Sequence, residues 1–360
     1  ATFTQWIYRA LVFLVVSCPC ALVISIPLGF FGGIGGASKN GILVKGGNYL
    51  EALNSVEMVV FDKTGTLTKG VFKVTQMHAQ GDINEEELLE YAAYVEGYSN
   101  HPIAISILKA YGKEVNKKDI EDVEEIAGKG IKAKVKGKYV LAGNSKLMDS
   151  EKISYNKGEN IGSIIYVAID NKYVGSIIIS DEIKDDSIAA IKRLKSMGIK
   201  KIVMLTGDNK DIASSIGKVL GVDEVYSELL PQDKVEKLEK LQKEKSTKGK
   251  IVFVGDGIND APVLARADIG IAMGGVGSDA AIEAADIVIM TDEPSKIALG
   301  IQIAQKTKKI VMQNIVFALG VKAIILIFAV FGVANMWEAV FGDVGVALIA
   351  VLNSMRAMKV

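Results

Sequence analysis

Residues 58–68 read Met-Val-Val-Phe-Asp-Lys-Thr-Gly-Thr-Leu-Thr, an apolar run that ends at an acidic residue and a glycine-containing loop. The run 58–61 predicts a buried strand. In open α/β sheets, ligands bind outside the carboxyl ends of the strands, which is where Asp62 is expected. The N–H groups of the following loop are suited to holding a phosphate. Asp62 is therefore a candidate nucleophile toward a phosphoryl group; for an isolated Asp-Lys-Thr-Gly the alternative is a surface aspartate in a turn.

The heptapeptide 62–68 resembles the phosphorylation signature of P-type ATPases, whose phosphoryl site is of the haloacid dehalogenase type. That resemblance implies three further parts, each at a strand end. One is a hydroxyl for the phosphate, and Thr206 follows the apolar run 202–205. Another is a cation that neutralises the phosphoryl oxygens, and Lys234 in Leu-Pro-Gln-Asp-Lys matches it.

The last part is a set of carboxylates for Mg²⁺, a cation that prefers oxygen ligands. Asp256 and Asp260 lie in a glycine-containing loop after a further apolar run, 251–254. The resemblance thus implies a catalytic set of Asp62, Thr64, Thr206, Lys234, Asn259 and Asp260, and an Mg²⁺ site made by Asp62, Thr64 and Asp256.

Bulk composition narrows the class of protein. The 360 residues are enough for two or three domains. A formal net charge of zero gives no support for a nucleic-acid partner. A mean hydropathy of +0.29 beside 23% charged residues indicates that apolar segments are separated from soluble ones. Because the chain starts without Met, we expect a piece that begins inside a larger protein. Cys18 and Cys20 are the only cysteines, so no disulfide framework is expected.

Three apolar segments predict membrane spans. Residues 10–38 contain no charged side chain and include a Cys-Pro-Cys sequence, whose proline is expected to kink the helix. Two further spans are predicted at 310–333 and 337–355, joined by a tight hairpin at 334–336. Basic residues flank the outer ends of this pair, at Lys306, Lys308, Lys309, Arg356 and Lys359. The positive-inside rule then places both outer ends in the cytoplasm. The loop that holds Asp62 must also be cytoplasmic to reach ATP, so we expect a multi-pass protein of the cell membrane whose large domains are cytoplasmic.

The insert between the first and second spans divides again. Its ends carry the phosphoryl motifs on alternating strand and helix patterns, which predict a parallel, doubly wound sheet. Its middle predicts a charged helix at 85–98 and short strands with turns, an inserted α+β domain. The predicted organisation is a transmembrane helix with a cytoplasmic extension (1–53), a haloacid-dehalogenase-like phosphorylation domain (54–70 and 179–305), a nucleotide-binding domain (71–178) and two C-terminal transmembrane helices (306–360).

A second ordered set of motifs resembles the nucleotide-binding domain of heavy-metal P-type ATPases. A histidine can pack or hydrogen-bond against adenine, and glycines let the backbone approach a nucleotide. A lone His-Pro is equally typical of a helix start. The resemblance implies that ATP is bound by Glu96, His101 in the sequence Ser-Asn-His-Pro, Gly128, Gly130, Gly143 and Asn144, with Gly207 and Asp208 of Thr-Gly-Asp-Asn contributing.

The whole chain resembles the C-terminal half of a heavy-metal-transporting (type IB) P-type ATPase. Cys18 and Cys20 offer soft thiolates that suit Cu(I), Zn²⁺ or related ions. Lys322 and Asp343 are ionisable residues inside spans, where such residues are costly and usually functional. A Lys and an Asp in these places resemble the zinc/cadmium/lead branch rather than the copper branch. The expected cargo is therefore Zn²⁺, Cd²⁺ or Pb²⁺, with Lys322 as a counter-charge that pairs with Asp343 once the ion leaves.

Three alternatives remain open from the sequence: a Cu(I) exporter, a soluble phosphatase of the dehalogenase superfamily, and a non-catalytic metal-binding membrane fragment. Such phosphatases usually carry Asp where Thr64 stands, so Thr64 favours a long-lived phosphoenzyme. No Thr-Gly-Glu motif of an actuator domain occurs in the chain. We therefore expect the 360 residues to depend on an N-terminal partner region for a full transport cycle.

Overall fold

The computed structural model describes residues 2–99, 101–156, 162–257, 260–274 and 279–359. Within these ranges the strands form one seven-stranded and one six-stranded sheet. The strands are β1 (Ile42–Val44), β2 (Val56–Asp62), β3 (Thr68–Ala79), β4 (Ile120–Ile126), β5 (Gly130–Val135), β6 (Lys138–Gly143), β7 (Ser163–Ile169), β8 (Lys172–Ile183), β9 (Lys201–Leu205), β10 (Glu224–Tyr226), β11 (Lys250–Gly255), β12 (Ile269–Met273) and β13 (Ile287–Ile289).

The described helices fall into three groups. Membrane-type helices are α1 (Phe3–Ser17), α2 (Cys20–Lys39), α12 (Ser295–Phe331), α13 (Met336–Val340) and α14 (Val346–Ser354). Helices beside the six-stranded sheet are α4 (Glu85–Glu96), α5 (Pro102–Tyr111) and α6 (Ser145–Ser150). The remainder are α3 (Gly47–Ala52), α7 (Ser187–Ser196), α8 (Lys210–Leu220), α9 (Pro231–Gln242), α10 (Ala261–Arg266) and α11 (Asp279–Ala284).

The seven-stranded sheet has the order β1-β13-β12-β11-β2-β9-β10. All its neighbours pair in parallel except β1, which runs antiparallel to β13. Strands β2, β11 and β12 are apolar on both faces and almost wholly buried, as expected when helices cover both sides of a parallel sheet. Because β1 directly follows α2, its pairing with β13 attaches the first membrane segment to this sheet.

The six-stranded sheet is antiparallel throughout, in the order β3-β8-β7-β6-β5-β4. Helices α4 and α5 pack on it around a core that includes Leu88, Ile107 and Ile177. Helix α4 starts at a capping box between Asn84 and Glu87, which satisfies N–H groups at its first turn. The sheet begins at residue 68 and ends at residue 183, so β3 and β8 run past the predicted domain limits of 71 and 178.

Three helical stretches are long and apolar enough to cross a membrane: Phe3–Lys39, Ser295–Phe331 and Met336–Met358. The first is broken between α1 and α2 at Pro19, which has no N–H to donate. The second starts 15 residues before the predicted limit of 310, because the amphipathic part of α12 packs Ile297, Ile301 and Ala304 into the core of the parallel sheet. The predicted hairpin lies between Gly332, the left-handed end of α12, and Met336.

The sequence analysis did not anticipate a bond between Cys18 and Cys20. Their sulfur atoms are joined in a disulfide across the Pro19 break, with the Cα atoms 5.5 Å apart. The expectation of two free thiols is therefore not met in this structure. The physical reason is local: the chain turns out of helical geometry between α1 and α2, and the two side chains converge on one side.

Candidate active site

The three strands that precede the phosphoryl motifs are neighbours in the parallel sheet. Strand β2 lies between β9 and β11, with Asp62 opposite Leu205 and Phe61 opposite Val254. Because all three strands run in the same direction, their carboxyl ends meet at one edge. The residues that follow them, Thr206 and Asp256, therefore come to the same edge as Asp62.

Lys234 from α9 is brought between two carboxylates at this edge. Its Nζ donates to Oδ1 of Asp62 at 2.6 Å and to Oδ1 of Asp260 at 2.9 Å. The side chains of Lys234, Asp62 and Asp260 are 10%, 6% and 3% exposed, so solvent screens these charges weakly. One cation thus faces two buried anions, and the group as a whole carries excess negative charge.

The pKa values follow from that imbalance. Burial, and then the charge of Asp260, raises the pKa of Asp62, although Lys234 opposes the shift. Burial alone lowers the pKa of Lys234, but the carboxylates of Asp62 and Asp260 outweigh it and the net shift is upward. A further cation in this place would relieve the carboxylates and favour their ionised forms.

Asp62, Asp256 and Asp260 each have a carboxylate oxygen within 4.8 Å of the others. Burial, followed by the charge of Asp260, raises the pKa of Asp256 to about 6. An all-oxygen donor set with unbalanced negative charge fits Mg²⁺. Since Lys234 already occupies one oxygen each of Asp62 and Asp260, the side chain of Asp256 is the least engaged of the three.

The loop Lys63–Leu67 wraps closely around these carboxylates. Gly65 has a left-handed backbone (φ 72°), and a Cβ placed on it would lie 1.7 Å from Oδ2 of Asp256. No side chain fits there, so glycine is required for both conformation and space. Thr64 is exposed at the tip of the loop, whereas Thr206 is buried and its Oγ1 accepts from the N–H of Asp208. Asn259 lies outside the described residues.

Buried charges behind the loop were missed by the sequence analysis. The Nζ of Lys63 lies 2.8 Å from Oδ2 of Asp208 and 3.6 Å from Oδ2 of Asp181. Asp208, expected to contact nucleotide, therefore holds the lysine that follows Asp62, and Gly207 is exposed beside it. The one available signal for Asp181 was a charged residue ending the apolar run 177–179.

The nucleotide motifs converge on a cleft of about 1070 Å³ between the six-stranded sheet and α8. One wall contains predicted residues of the nucleotide-binding set, namely Glu96, His101, Gly128, Gly130, Gly143 and Asn144. The opposite wall contains Asn209, Asp211, Ser215 and Lys218, at the start and on the face of α8. The loop that follows β9 therefore contributes both to the phosphoryl edge, through Thr206, and to this cleft, through Asn209.

Glu96 is the buried acid of the cleft, at the last residue of α4 and 6% exposed. Burial, together with the nearby charge of Glu125, raises its pKa to about 7. A carboxyl group with this pKa is close to half-protonated at neutral pH. It can donate a hydrogen bond when neutral or accept one when ionised.

Glycine is found at the predicted positions of the cleft for two different structural reasons. Gly130 and Gly143 face each other on β5 and β6. A Cβ on Gly130 would lie 2.3 Å from the backbone oxygen of Ala142, and a Cβ on Gly143 would lie 2.3 Å from that of Lys129, directly before β5. Gly128 has a left-handed backbone with open space where its Cβ would be. Only Gly128 therefore leaves room toward the cleft, whereas the other two permit close pairing of the strands.

Asn144 and His101 are both helix caps in this structure. Asn144 accepts from the N–H groups of Lys146 and Leu147 and donates to the carbonyl of Gly128 at 2.8 Å. His101 Nδ1 accepts from the N–H of Ile103 at the start of α5, which is the alternative considered for a lone His-Pro. His101 is also part of the cleft lining. Asn100 of the same motif lies outside the described residues.

The membrane residues singled out from the sequence also meet. Sulfur atoms of Cys18 and Cys20 and a carboxylate oxygen of Asp343 lie within 4.8 Å of one another. Lys322 is buried beside them, with its Nζ 3.2 Å from Oδ1 of Asp343. The same amino group donates to the carbonyls of Val16 and Cys18, at the broken end of α1. The cluster combines two sulfurs, one carboxylate and one cation.

Comparisons with known proteins agree with this geometry. The family model of haloacid dehalogenase-like hydrolases matches residues 56–268. The "Cadmium, zinc and cobalt-transporting ATPase" of Bacillus subtilis (strain 168) is 62% identical over 359 residues, covering 100% of this chain and 51% of that protein. The "Zinc-transporting ATPase" of Synechocystis is 56% identical over 355 residues, covering 99% and 49%. The chain thus spans about half the length of the curated relatives it matches.

A solved structure of a zinc-transporting PIB-type ATPase in the E2.Pi state superposes with a TM-score of 0.87 at 36% identity, covering 100% of this chain and 59% of that one. The predicted fold class, membrane helices joined to a haloacid-dehalogenase-like domain with an inserted α+β domain, is confirmed. The chain belongs to the haloacid dehalogenase-like hydrolases, and along its whole length it is similar to about half of curated cadmium- and zinc-transporting ATPases and to a solved zinc-transporting PIB-type ATPase.

Proposed function

We propose that the intact protein hydrolyses ATP to export a divalent heavy metal (Zn²⁺, Cd²⁺ or Pb²⁺) across the cell membrane, through an aspartyl-phosphate on Asp62. The observation that carries this proposal is the position of Asp62 at the end of a central strand, 2.6 Å from the buried amino group of Lys234. The names of the relatives, which are cadmium-, zinc- and cobalt-transporting ATPases, support a divalent cargo.

The chemical step uses Asp62 as nucleophile. A carboxylate oxygen of Asp62 forms a bond to the γ-phosphorus of ATP, the bond from that phosphorus to the β,γ-bridging oxygen breaks, and ADP leaves with that oxygen. Lys234 and the Thr206 hydroxyl hold the phosphoryl oxygens and offset their charge. Water later cleaves the acyl-phosphate, which releases inorganic phosphate and restores Asp62.

Mg²⁺ is the cofactor that this arrangement fits. Asp62 and Asp256, with Thr64 at the loop, are the proposed ligands, and Asn259 and Asp260 complete the surroundings. When bound, Mg²⁺ neutralises charge on the phosphate oxygens. The chain's own contribution is to keep Asp62 in place through Lys234 and to keep the loop against Asp256 through Gly65.

ATP is proposed to bind in the cleft lined by Glu96, His101 and Gly128. Because residues of both the six-stranded sheet and α8 line that cleft, a bound nucleotide contacts both sides at once. Nucleotide binding therefore favours closure of the cleft, and closure carries the γ-phosphate toward Asp62.

The cargo is proposed to bind between Cys18, Cys20 and Asp343 when the two sulfurs are reduced. Two thiolates and a carboxylate form a mixed sulfur and oxygen site that suits Zn²⁺ or Cd²⁺ better than Mg²⁺ or Ca²⁺. Lys322 supplies positive charge to Asp343 after the metal has gone, so that this half-buried carboxylate is not left unpaired. With the phosphoryl site in the cytoplasm, metal leaves toward the opposite side.

The test is a phosphoenzyme assay on the full-length protein in membrane vesicles, with γ-labelled ATP and Mg²⁺. We expect acid-stable label in the native protein and none in Asp62→Asn. The matched control is Asp185→Asn, whose side chain is 94% exposed, and it should label like the native protein. Label that persists in Asp62→Asn contradicts the proposed acceptor.

The same vesicles identify the cargo. ATP hydrolysis should rise with Zn²⁺ or Cd²⁺ and not with Cu(I). Stimulation by Cu(I) and by neither Zn²⁺ nor Cd²⁺ would make the protein a copper exporter. Hydrolysis of small phosphate esters that does not depend on Zn²⁺, Cd²⁺ or Cu(I) would make it a phosphatase.

A further inference from the structure

The segment 181–187 contains the last three residues of β8, the turn after it and the first residue of α7. It lies between the phosphorylation loop and the start of α12. On the loop side, the Lys184 N–H and the Ser187 hydroxyl both donate to the carbonyl of Leu67, at 3.0 and 2.8 Å. Asp181 accepts from the Thr68 hydroxyl. The segment therefore follows the loop closely over several residues.

Lys184 has the most consequential contacts of this segment. Its side chain is 7% exposed, and its Nζ donates to the carbonyl of Gly65 at 2.6 Å and to Oδ1 of Asp292 at 2.8 Å. A buried ammonium group is stable only when it is paired and hydrogen-bonded. The amino group thus has one partner in the phosphorylation loop and one immediately before α12.

The loop partner is a sensitive position. Gly65 touches the carboxylate of Asp256 so closely that no Cβ fits between them. Its carbonyl, held by Lys184, fixes the orientation of the following peptide group. A shift of this carbonyl therefore changes the contact between the loop and Asp256.

The other partner is joined to the membrane. Asp292 has a left-handed backbone (φ 57°) and precedes α12, whose first N–H, from Ser295, donates to Oδ2 of Asp186 at 2.8 Å. Two acid groups thus connect segment 181–187 with the beginning of α12. That helix continues without interruption to Phe331 and contains Lys322.

We propose that Lys184 is a positioning residue that, through its pair with Asp292, couples the phosphorylation loop to α12 and hence to the metal-binding cluster. This inference rests on the proposed function. When the loop moves on phosphorylation of Asp62, the Gly65 carbonyl either pulls Lys184 and Asp292 with it or loses its hydrogen bond. In either case the position of α12 depends on the conformation of the loop, so the phosphorylation site and the helix are energetically coupled.

The deciding variant is Asp292→Asn in the full-length protein, reconstituted in vesicles. Asparagine tolerates a left-handed backbone and keeps the shape of the side chain, but it removes the charge. We expect Asp62-dependent phosphorylation by ATP without added metal to stay within about twofold of the native level. Only the stimulation of ATP hydrolysis by Zn²⁺ should fall. We expect a decrease of at least about fivefold, which is the low end of the usual range of coupling between two sites. Asp185→Asn, next to Lys184 and exposed, is the control and should change neither quantity.

A second measurement does not depend on turnover. Hydrogen exchange of the amides in 292–301 should respond to ATP and Mg²⁺ in the native protein and respond less in Asp292→Asn. Lys184→Gln should give the same pattern, and the double variant should be no worse than either single variant. The inference is overturned if Asp292→Asn keeps native Zn²⁺ stimulation, or if it loses phosphorylation and stimulation in equal proportion. A native protein without Asp62-dependent label would instead refute the proposed function, and this inference with it.

Discussion

The amino group of Lys322 lies 3.2 Å from the Asp343 carboxylate and also caps the broken end of α1 through the carbonyls of Val16 and Cys18. Because Pro19 interrupts the helix, those carbonyls lack the N–H donors that a continuous helix supplies. A single buried cation therefore stabilises both a helix end and the carboxylate of Asp343, which lies within 4.8 Å of the sulfurs of Cys18 and Cys20.

Lys322→Ala should lower Zn²⁺-stimulated ATP hydrolysis about tenfold, because it removes the partner that Asp343 needs when no metal is bound. The measurement is metal-dependent hydrolysis and transport by the full-length protein in vesicles. Lys309→Ala, exposed on the same helix, is the matched control. Unchanged stimulation in Lys322→Ala would show that the pair is incidental.

Gly65→Ala should abolish phosphoenzyme formation, with a loss of at least about a hundredfold. The added Cβ would overlap the carboxylate of Asp256 at 1.7 Å. Gly137→Ala separates this overlap from backbone strain, since Gly137 has a similar φ of 81° and open space around its Cβ position. Both variants bear a left-handed cost of roughly 1 kcal/mol, but only Gly65→Ala should lose the label. Equal loss in both would point to strain alone.

Lys234→Met should reduce the rate of phosphorylation about a hundredfold or more, in the range seen when one charge-stabilising group is removed. It also leaves Asp62 facing Asp260 with no cation between them. Rapid-quench labelling with ATP gives the rate. Lys240→Met, exposed on the same helix α9, should be close to native, and a native rate in Lys234→Met would exclude the proposed role.

ATP binding should weaken between pH 6 and pH 8 as Glu96, with a pKa of about 7, loses its proton. Burial disfavours the ionised form, and a bound nucleotide buries the group further, so the protonated form binds ATP better. Glu96→Gln should remove this part of the pH dependence. Glu125→Gln should move the transition to lower pH, because Glu125 contributes to the raised pKa. Equilibrium binding of labelled ATP measures all three, and an identical pH profile in Glu96→Gln would rule out this residue as the titrating group.

The local pattern of apolar residues was sufficient to predict the strands whose ends form the phosphoryl site. The apolar runs before Asp62, Thr206 and Asp256 are strands β2, β9 and β11, and parallel pairing alone brings their ends together. The cation at this edge was predictable as a residue type, but its distances to Asp62 and Asp260 depend on how α9 packs.

The network behind the loop was not predictable in the same way. Lys184 contacts Gly65 and Asp292, which are 119 and 108 residues away along the chain. The hydrophobic periodicity of the sequence gives no sign that a lysine will be buried against partners so far away along the chain. On its own, the sequence Asp-Glu-Ile-Lys is typical of an exposed turn. Likewise, Gly130 and Gly143 were predicted as nucleotide contacts and both lie in the cleft lining, but their close approach across β5 and β6 is visible only in the strand register.

Helix α12, with 37 residues, is about 55 Å long at 1.5 Å per residue. Lys322 is 27 residues from its first residue, or about 40 Å along the axis. A tilt of about 5° about the end held by Asp186 and Asp292 would displace the Lys322 backbone by roughly 3–4 Å on this helical geometry, which is comparable to the 3.2 Å between its amino group and Oδ1 of Asp343. The helix thus acts as a lever: an angular change too small to disturb the packing near the phosphorylation loop is large enough to open or close an ion pair inside the membrane.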